Sequence, residues 1–352
     1  MDIEVVKDAE PATLARYDAI IDVRSPAEFA EDHAPGAMNL PVLDNDERAE
    51  VGTIYVQRSA FLARRIGAAK VARNVAGHLE TALKDRPANF RPLVYCWRGG
   101  QRSNAMATIL SQVGWRTALL AGGYKTYRRR VQARLYDEAW PLTLVLLDGG
   151  TGSGKTAILH RLAARGVQTL DLEALANHRG SLFGGFAEAP QPHQKMFESR
   201  LLTALEGLDP ARPVVVEAES SKIGELNLPP AIWSLMKAAS RVEMVAPLAE
   251  RARYLVRAYG DIVANPEALE EAFRRLPTHP GRERLESWRA LAAGGAYEAL
   301  AEALVELHYD PAYARGRKKD VKPRLRTIVL ATLDEAALDQ AADGVAEAVG
   351  RL

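Results

Sequence analysis

Short apolar runs alternate with amphipathic stretches through the first 120 residues. Ala19-Ile20-Ile21-Asp22-Val23-Arg24 is apolar and rich in β-branched residues, which predicts a buried strand. Ser25-Pro26-Ala27-Glu28 follows with a helix-start pattern, serine at the N-cap, proline at the first helical position and glutamate at the third. Ala37-Met38-Asn39-Leu40 predicts another short strand, stopped by Pro41. Over 57–84, Phe61, Leu62, Ile66, Val71, Val75 and Leu79 recur at helical spacing, which predicts one or two helices with these residues facing the core. A strand at 92–95, a helix over 103–112 and a strand at 116–120 complete the alternation. Such a pattern argues for a parallel sheet covered on both faces.

A second alternation starts at Pro141-Leu142-Thr143-Leu144-Val145-Leu146-Leu147-Asp148, a continuous apolar run of the kind buried on both faces. Further strands are expected at 168–170, 213–217 and 241–245. Helices are expected over 193–206, 230–239, 247–259, 266–276, 281–292, 295–307 and 333–350. The stretch 128–140 reads as a helical connector, which divides the chain into domains 1–130 and 131–352. The expected class is α/β twice over: an N-terminal parallel-sheet domain, then a second α/β domain with a helix-rich extension.

Composition narrows the picture little. The 352 residues, 47% hydrophobic and 26% charged, describe a globular chain long enough for two cores. No run approaches the roughly 20 apolar residues a membrane span needs. Met1-Asp2-Ile3-Glu4 lacks a basic-then-apolar leader pattern, and a single cysteine rules out an internal disulfide framework. A cytoplasmic location is therefore expected. The net charge of +1 carries no overall nucleic-acid signature. Two basic clusters, Arg128-Arg129-Arg130 and Arg315-Gly316-Arg317-Lys318-Lys319, can still meet phosphates locally; a solvated surface is the alternative.

The chemistry concentrates in two loops. The single cysteine opens Cys96-Trp97-Arg98-Gly99-Gly100-Gln101-Arg102-Ser103, between a strand and a helix. Loop amides, the helix dipole and the charges of Arg98 and Arg102 should lower the thiol pKa and make Cys96 a ready nucleophile. The second loop, Gly149-Gly150-Thr151-Gly152-Ser153-Gly154-Lys155-Thr156, matches G-x-x-x-x-G-K-[ST] between a strand and a helix. There Gly149, Gly152, Ser153 and Gly154 let backbone amides wrap phosphates, Lys155 reaches the outer ones, and the Thr156 hydroxyl can ligate Mg²⁺. Glu217 or Glu219, at the end of the strand 213–217, is the candidate metal or water-positioning carboxylate, with Asp171 a rival. Arg251, Arg253 and Arg257 share a predicted helix and can clamp phosphates or simply face solvent.

The first domain resembles the rhodanese family in Asp22-Val23-Arg24 with Glu28-Phe29, in the run from His33 to Pro41, and in the cysteine loop. That resemblance implies a cysteine carrying sulfur or selenium, with Asp22 and Arg24 structural and His33 marking a turn. Cys96 and Arg102 are separated by five residues where many rhodaneses have four. The longer spacing is also that of cysteine phosphatases, whose loop holds a whole phosphate group, so phosphate-ester hydrolysis is a competing reading. A phosphate loop following such a domain, with Gly122-Gly123-Tyr124-Lys125 and the run Val216 to Gly224, resembles the tRNA 2-selenouridine synthases.

The resemblance implies replacement of sulfur by selenium at C2 of the wobble 2-thiouridine in a tRNA anticodon arm. Geranyl diphosphate, held on the phosphate loop, would first alkylate the sulfur. Selenophosphate would supply selenium through a selenylsulfide on Cys96. A selenophosphate-producing enzyme is then a possible partner. Trp97 or Tyr124 can stack on the base or simply pack in the core, Arg128, Arg129, Arg130, Arg317 and Lys318 can touch the tRNA, and Leu182, Phe183 and Phe186 can cover the geranyl chain or form a plain loop. The rivals are an NTP-dependent kinase or ATPase fused to a sulfurtransferase domain, and a non-enzymatic tRNA-binding module.

Overall fold

The computed structural model describes residues 3–180, 184–185, 190–274, 276, 280–317 and 323–352, with 315–317 by backbone alone. Two compact units are formed, Met1–Glu138 with Glu198–Thr203, and Ala139–Phe197 with Ala204–Leu352.

In the first unit, β1 (Glu4–Val6), β2 (Ala19–Asp22), β3 (Ala37–Asn39), β4 (Pro92–Tyr95) and β5 (Ala118–Leu120) form a parallel sheet in the order β1-β5-β4-β2-β3. All of β4 is buried, so its apolar run is explained by cover on both faces. The chain leaves this central strand at Cys96, at the carboxyl edge where open α/β sheets bind ligands. The helix Pro26–Glu31 starts with the expected Ser25–Glu28 capping box.

Over 45–84 one expectation is corrected and one helix is added. The helix Ala60–Glu80 turns Ala63, Gly67, Val71 and Val75 to the core, and Phe61, in its first turn, stands 69% exposed. The spacing i, i+4, i+8 of small residues carries the packing, and a Cβ on Gly67 would come within 3.3 Å of Val51. Val51 lies on a helix, Asn45–Gln57, that hydrophobic periodicity misses because none of its residues is buried. Its local signal was legible: Asp44 and Glu47 form a capping box.

The second unit holds β6 (Leu144–Gly149), β7 (Gln168–Leu170), β8 (Val214–Glu217), a small hairpin of β9 (Lys222–Ile223) and β10 (Leu226–Asn227), β11 (Ser240–Val245) and β12 (Arg324–Val329). Its five-stranded sheet runs β12-β11-β6-β8-β7, all parallel, with the fully buried β6 at the centre. Val145, Leu147 and Val215 pack with the helices Lys155–Ala164 and Glu335–Val349. The edge strand β12 was not foreseen, because Arg324-Leu325-Arg326-Thr327 alternates charge with apolar residues as a solvated edge does. The helix-rich extension includes Leu248–Ala258, Gly260–Val263, Pro266–Arg274, Arg282–Ala293 and Tyr297–Leu304, with a core of its own around Trp288, Phe273 and Leu300. No helix among the described residues is long and apolar enough to cross a membrane.

Candidate active sites

In the first unit, β4 delivers Cys96 to a loop that the following helix, Gln101–Val113, closes. Cys96 is 3% exposed, and its sulfur accepts the Gly100 amide at 3.2 Å and lies 3.2 Å from Ser103 Oγ. Burial pushes the thiol pKa up, but the Ser103 hydroxyl and the amides of Ser103, Gly100 and Arg98 outweigh it and hold the thiol below its ordinary value. The loop amides expected from the sequence are among these donors, with the Ser103 hydroxyl ahead of them, and neither arginine side chain is among the leading causes. Ser103 was within the motif, yet its role needed the helix turn that brings position 103 back to 96. Alkylation of Cys96 by iodoacetamide should show a midpoint below the usual thiol value of about 8.5. Ser103→Ala should raise that midpoint by roughly one pH unit, since it removes a hydrogen bond to a charged group; an unchanged midpoint would contradict the assignment.

The loop is held by its neighbour. Gly123 sits at φ 59°, and a Cβ there would fall 2.1 Å from the Cys96 carbonyl oxygen. The Tyr124 amide donates to that same carbonyl at 2.8 Å. Gly123→Ala should therefore cost about 2 kcal/mol or more in denaturant unfolding and disturb the thiol as well. A variant with parental stability would show that this close approach is absent.

The arginines differ from expectation. Arg102 points its fork at Glu28, with contacts of 2.6 and 3.2 Å, so in this state it is paired to a carboxylate. Arg98 is exposed beside the loop. Tyr124 is not available as a base-stacking platform: it is 2% exposed, with Arg24 4.0 Å from its ring centre and Trp97 stacked at 5.2 Å. Trp97 is half-buried. Asp22 and Arg24 form a buried ion pair at 2.6 Å, and His33 stacks on Phe29 at 3.7 Å while bonding the Phe29 carbonyl, which are structural roles. Of the first basic cluster, Arg128 is paired with Glu198 and Arg130 with Glu10, so both are committed to carboxylates. Arg129 is exposed and donates to the Lys125 carbonyl and the Thr126 hydroxyl. Arg317 is described by backbone alone, and Lys318, Leu182, Phe183 and Phe186 lie outside the described residues.

In the second unit, Gly149 ends β6, Gly154 caps the helix Lys155–Ala164 at φ 77°, and the intervening turn opens into a cavity of about 940 Å³ counting its mouth. Gly152, Ser153, Gly154, Lys155 and Thr156 all line it. Ser153 is 1% exposed, and its hydroxyl has no hydrogen-bond partner among the described residues. Such a buried donor is costly unless a ligand meets it. Lys155 Nζ donates to the Gly149 carbonyl at 2.9 Å. A Cβ on Gly152 would fall 2.8 Å from Leu255 and 2.9 Å from the Arg251 carbonyl, so glycine lets the helix Leu248–Ala258 lie against the loop.

That helix corrects a further expectation. Arg251 is buried, donates to the Thr151 carbonyl at 2.8 Å and pairs with Asp310 at 2.7 Å, so it holds the loop backbone instead of clamping phosphate or facing solvent. Arg253 pairs with Glu250 and Arg257 with the Leu333 carbonyl.

Three carboxylates gather behind the loop. Thr156 Oγ1 donates to Glu173 at 2.8 Å, and Glu173 and Glu219 both line the cavity. Burial first, then the Glu173 charge and a shared hydrogen bond, push Glu219 up to about 8. Burial also raises Glu173, against the Thr156 hydrogen bond and Lys155. Glu217 is fully buried, its pKa well raised by burial and by Asp171 and Glu173, and neither oxygen has a hydrogen-bond partner among the described residues. Glu173, absent from the sequence reading, is the carboxylate that the structure puts on Thr156. Asp171, the rival, caps the helix Leu172–Ala176 and bonds His160 at 2.7 Å. No group of three or more His, Cys, Asp or Glu side chains among the described residues is arranged to hold a metal ion by itself. Thr156 with Glu173 offers two hard oxygen donors, which suits Mg²⁺ when phosphate oxygens complete its shell.

Residues 142–279 match the family model described as tRNA 2-selenouridine synthase AAA domain, and residues 8–130 that of the rhodanese-like domain. The chain is 38% identical over 236 residues to the tRNA 2-selenouridine synthase of Nitrosomonas europaea (strain ATCC 19718 / CIP 103999 / KCTC 2705 / NBRC 14298), covering 66% of this chain and 61% of that protein. The match thus spans less than two thirds of that relative's length. Identity to the tRNA 2-selenouridine synthase of Hahella chejuensis (strain KCTC 2396) is 35% over 315 residues, 86% of this chain and 79% of the relative. For that of Cupriavidus pinatubonensis (strain JMP 134 / LMG 1197) it is 32% over 336 residues, 85% and 89%. Matched across both loop-bearing units by these relatives, the chain belongs to the tRNA 2-selenouridine synthase family.

Proposed function

We propose that the protein replaces sulfur by selenium at C2 of the wobble 2-thiouridine in tRNA, through an S-geranylated intermediate, with geranyl diphosphate and selenophosphate as co-substrates. The observation that carries this reading is the presence in one chain of an acidified lone thiol and a phosphate cradle containing an unpartnered buried hydroxyl at Ser153. The names of the relatives support tRNA as the macromolecular substrate.

At the phosphate loop, the thiouridine sulfur attacks C1 of geranyl diphosphate: an S–C bond forms, the C–O bond breaks and diphosphate leaves. Loop amides, Ser153 and Lys155 stabilise the charge that develops on the departing oxygens. Mg²⁺, held by Thr156 and Glu173 with the diphosphate, would add further charge neutralisation.

Cys96 handles the selenium donor. Thiolate attack on selenium would leave phosphorus as phosphite, or need a two-electron oxidant to leave it as phosphate. Attack on phosphorus balances without one. An S–P bond forms, the P–Se bond breaks, selenide leaves, and water later releases phosphate. The C-x5-R loop size suits that second course. Selenide then adds at C2 of the alkylated base and expels geranylthiolate.

Binding measurements separate this reading from an NTP-dependent one. Geranyl diphosphate should bind the parent chain and be displaced by inorganic diphosphate, whereas tighter binding and turnover of ATP would overturn the proposal.

A further inference from the structure

A second cavity, of about 540 Å³ counting its mouth, lies in the helix-rich extension. Eight of its twelve lining residues are aliphatic, among them Leu255, Val256, Ile262, Leu300 and Leu304, and none is charged. Thr151, Leu255 and Tyr259 line both this cavity and the phosphate cavity. The charged and the apolar compartment therefore adjoin at these three residues. We infer that the apolar cavity houses the hydrocarbon tail of a linear isoprenoid diphosphate whose head rests on the phosphate loop.

The chemistry of the walls argues for this occupant. A ligand spanning both compartments needs an anionic head and a tail without polar edges. A nucleotide would bring a ribose and base into the aliphatic cavity, where their unpaired donors and acceptors are costly to bury. An isoprenoid chain gains from every methylene removed from water. The junction is also built: Gly152 allows Leu255 to touch the loop, and Arg179 holds Tyr259 from the phosphate side, its guanidinium 4.9 Å from the ring centre and bonded to Asp261 at 2.9 Å. Arg179 lines the phosphate cavity, which puts its positive charge at the head end.

The inference rests on the isoprenoid diphosphate reading above, and its test separates the two. Affinities of the purified full chain are measured for inorganic diphosphate, dimethylallyl diphosphate, geranyl diphosphate and ATP. Geranyl diphosphate should bind at least about tenfold more tightly than the five-carbon dimethylallyl diphosphate, because five more carbons are buried. Ala301 lines the apolar cavity and not the phosphate cavity, so Ala301→Phe should erase that preference and leave inorganic diphosphate binding unchanged. Leu300→Ala should enlarge the cavity and shift preference toward farnesyl diphosphate. Should Ala301→Phe and Leu300→Ala both keep the parental chain-length preference, the tail lies elsewhere and this inference falls while the functional reading stands. Tight ATP binding with no binding of geranyl diphosphate would overturn both.

Discussion

Cys96→Ser should remove selenium incorporation into 2-thiouridine tRNA, lowering its rate by at least about a thousandfold, or roughly 4 kcal/mol of barrier. Formation of the S-geranyl nucleoside by the same variant should stay within about twofold of the parent. The asymmetry follows from placing the two chemistries on different loops. Serine keeps the size of the side chain and its place against the Gly100 amide and Ser103. What it lacks is an ionisable group of suitable pKa: the surroundings that favour a thiolate cannot bring an alcohol into range. Nucleoside analysis of tRNA after incubation with both co-substrates reads both products. Equal loss of both would mean that Cys96 also serves the geranyl step.

Lys155→Ala should have the converse effect. S-geranylation should fall by about a hundredfold or more, the scale expected when a preorganised donor to a developing anion is lost. The iodoacetamide midpoint of Cys96 should stay at the parental value. Lys155 Nζ is held at the loop by the Gly149 carbonyl, so its charge sits where phosphate oxygens would arrive and little side-chain freedom remains to be lost on binding. If the variant kept parental geranylation, the loop would not be the diphosphate site.

Contiguous features were legible in the chain; features assembled by folding were not. Cys96 and the 149–156 loop stand out because strand, glycine-bearing turn and helix follow one another within a few residues, and the structure joins them in that order. Most strands and helices of both sheets were legible for the same reason. Glu173 was missed although it stands two residues after Asp171, since nothing local tells which of two carboxylates turns toward Thr156. The pairing of Arg102 with Glu28 joins positions 74 apart, and Arg251 reaches the Thr151 carbonyl from 100 residues away. Exposed elements were hidden too: the helix Asn45–Gln57 buries none of its residues, and β12 reads as a polar stretch because it lies at a sheet edge. Phe61 erred in the other direction, an apolar side chain two residues before Ala63 and so on the face of the helix opposite the residues that meet the core.

The central claim is that one chain alkylates the wobble thiouridine and then exchanges sulfur for selenium. It is tested by incubating the purified protein with 2-thiouridine tRNA, geranyl diphosphate and selenophosphate, and following the wobble nucleoside by mass spectrometry. The account predicts S-geranyl-2-thiouridine that rises first and declines as 2-selenouridine accumulates. Selenouridine formed equally fast without geranyl diphosphate, or no selenouridine with all components present, would contradict it.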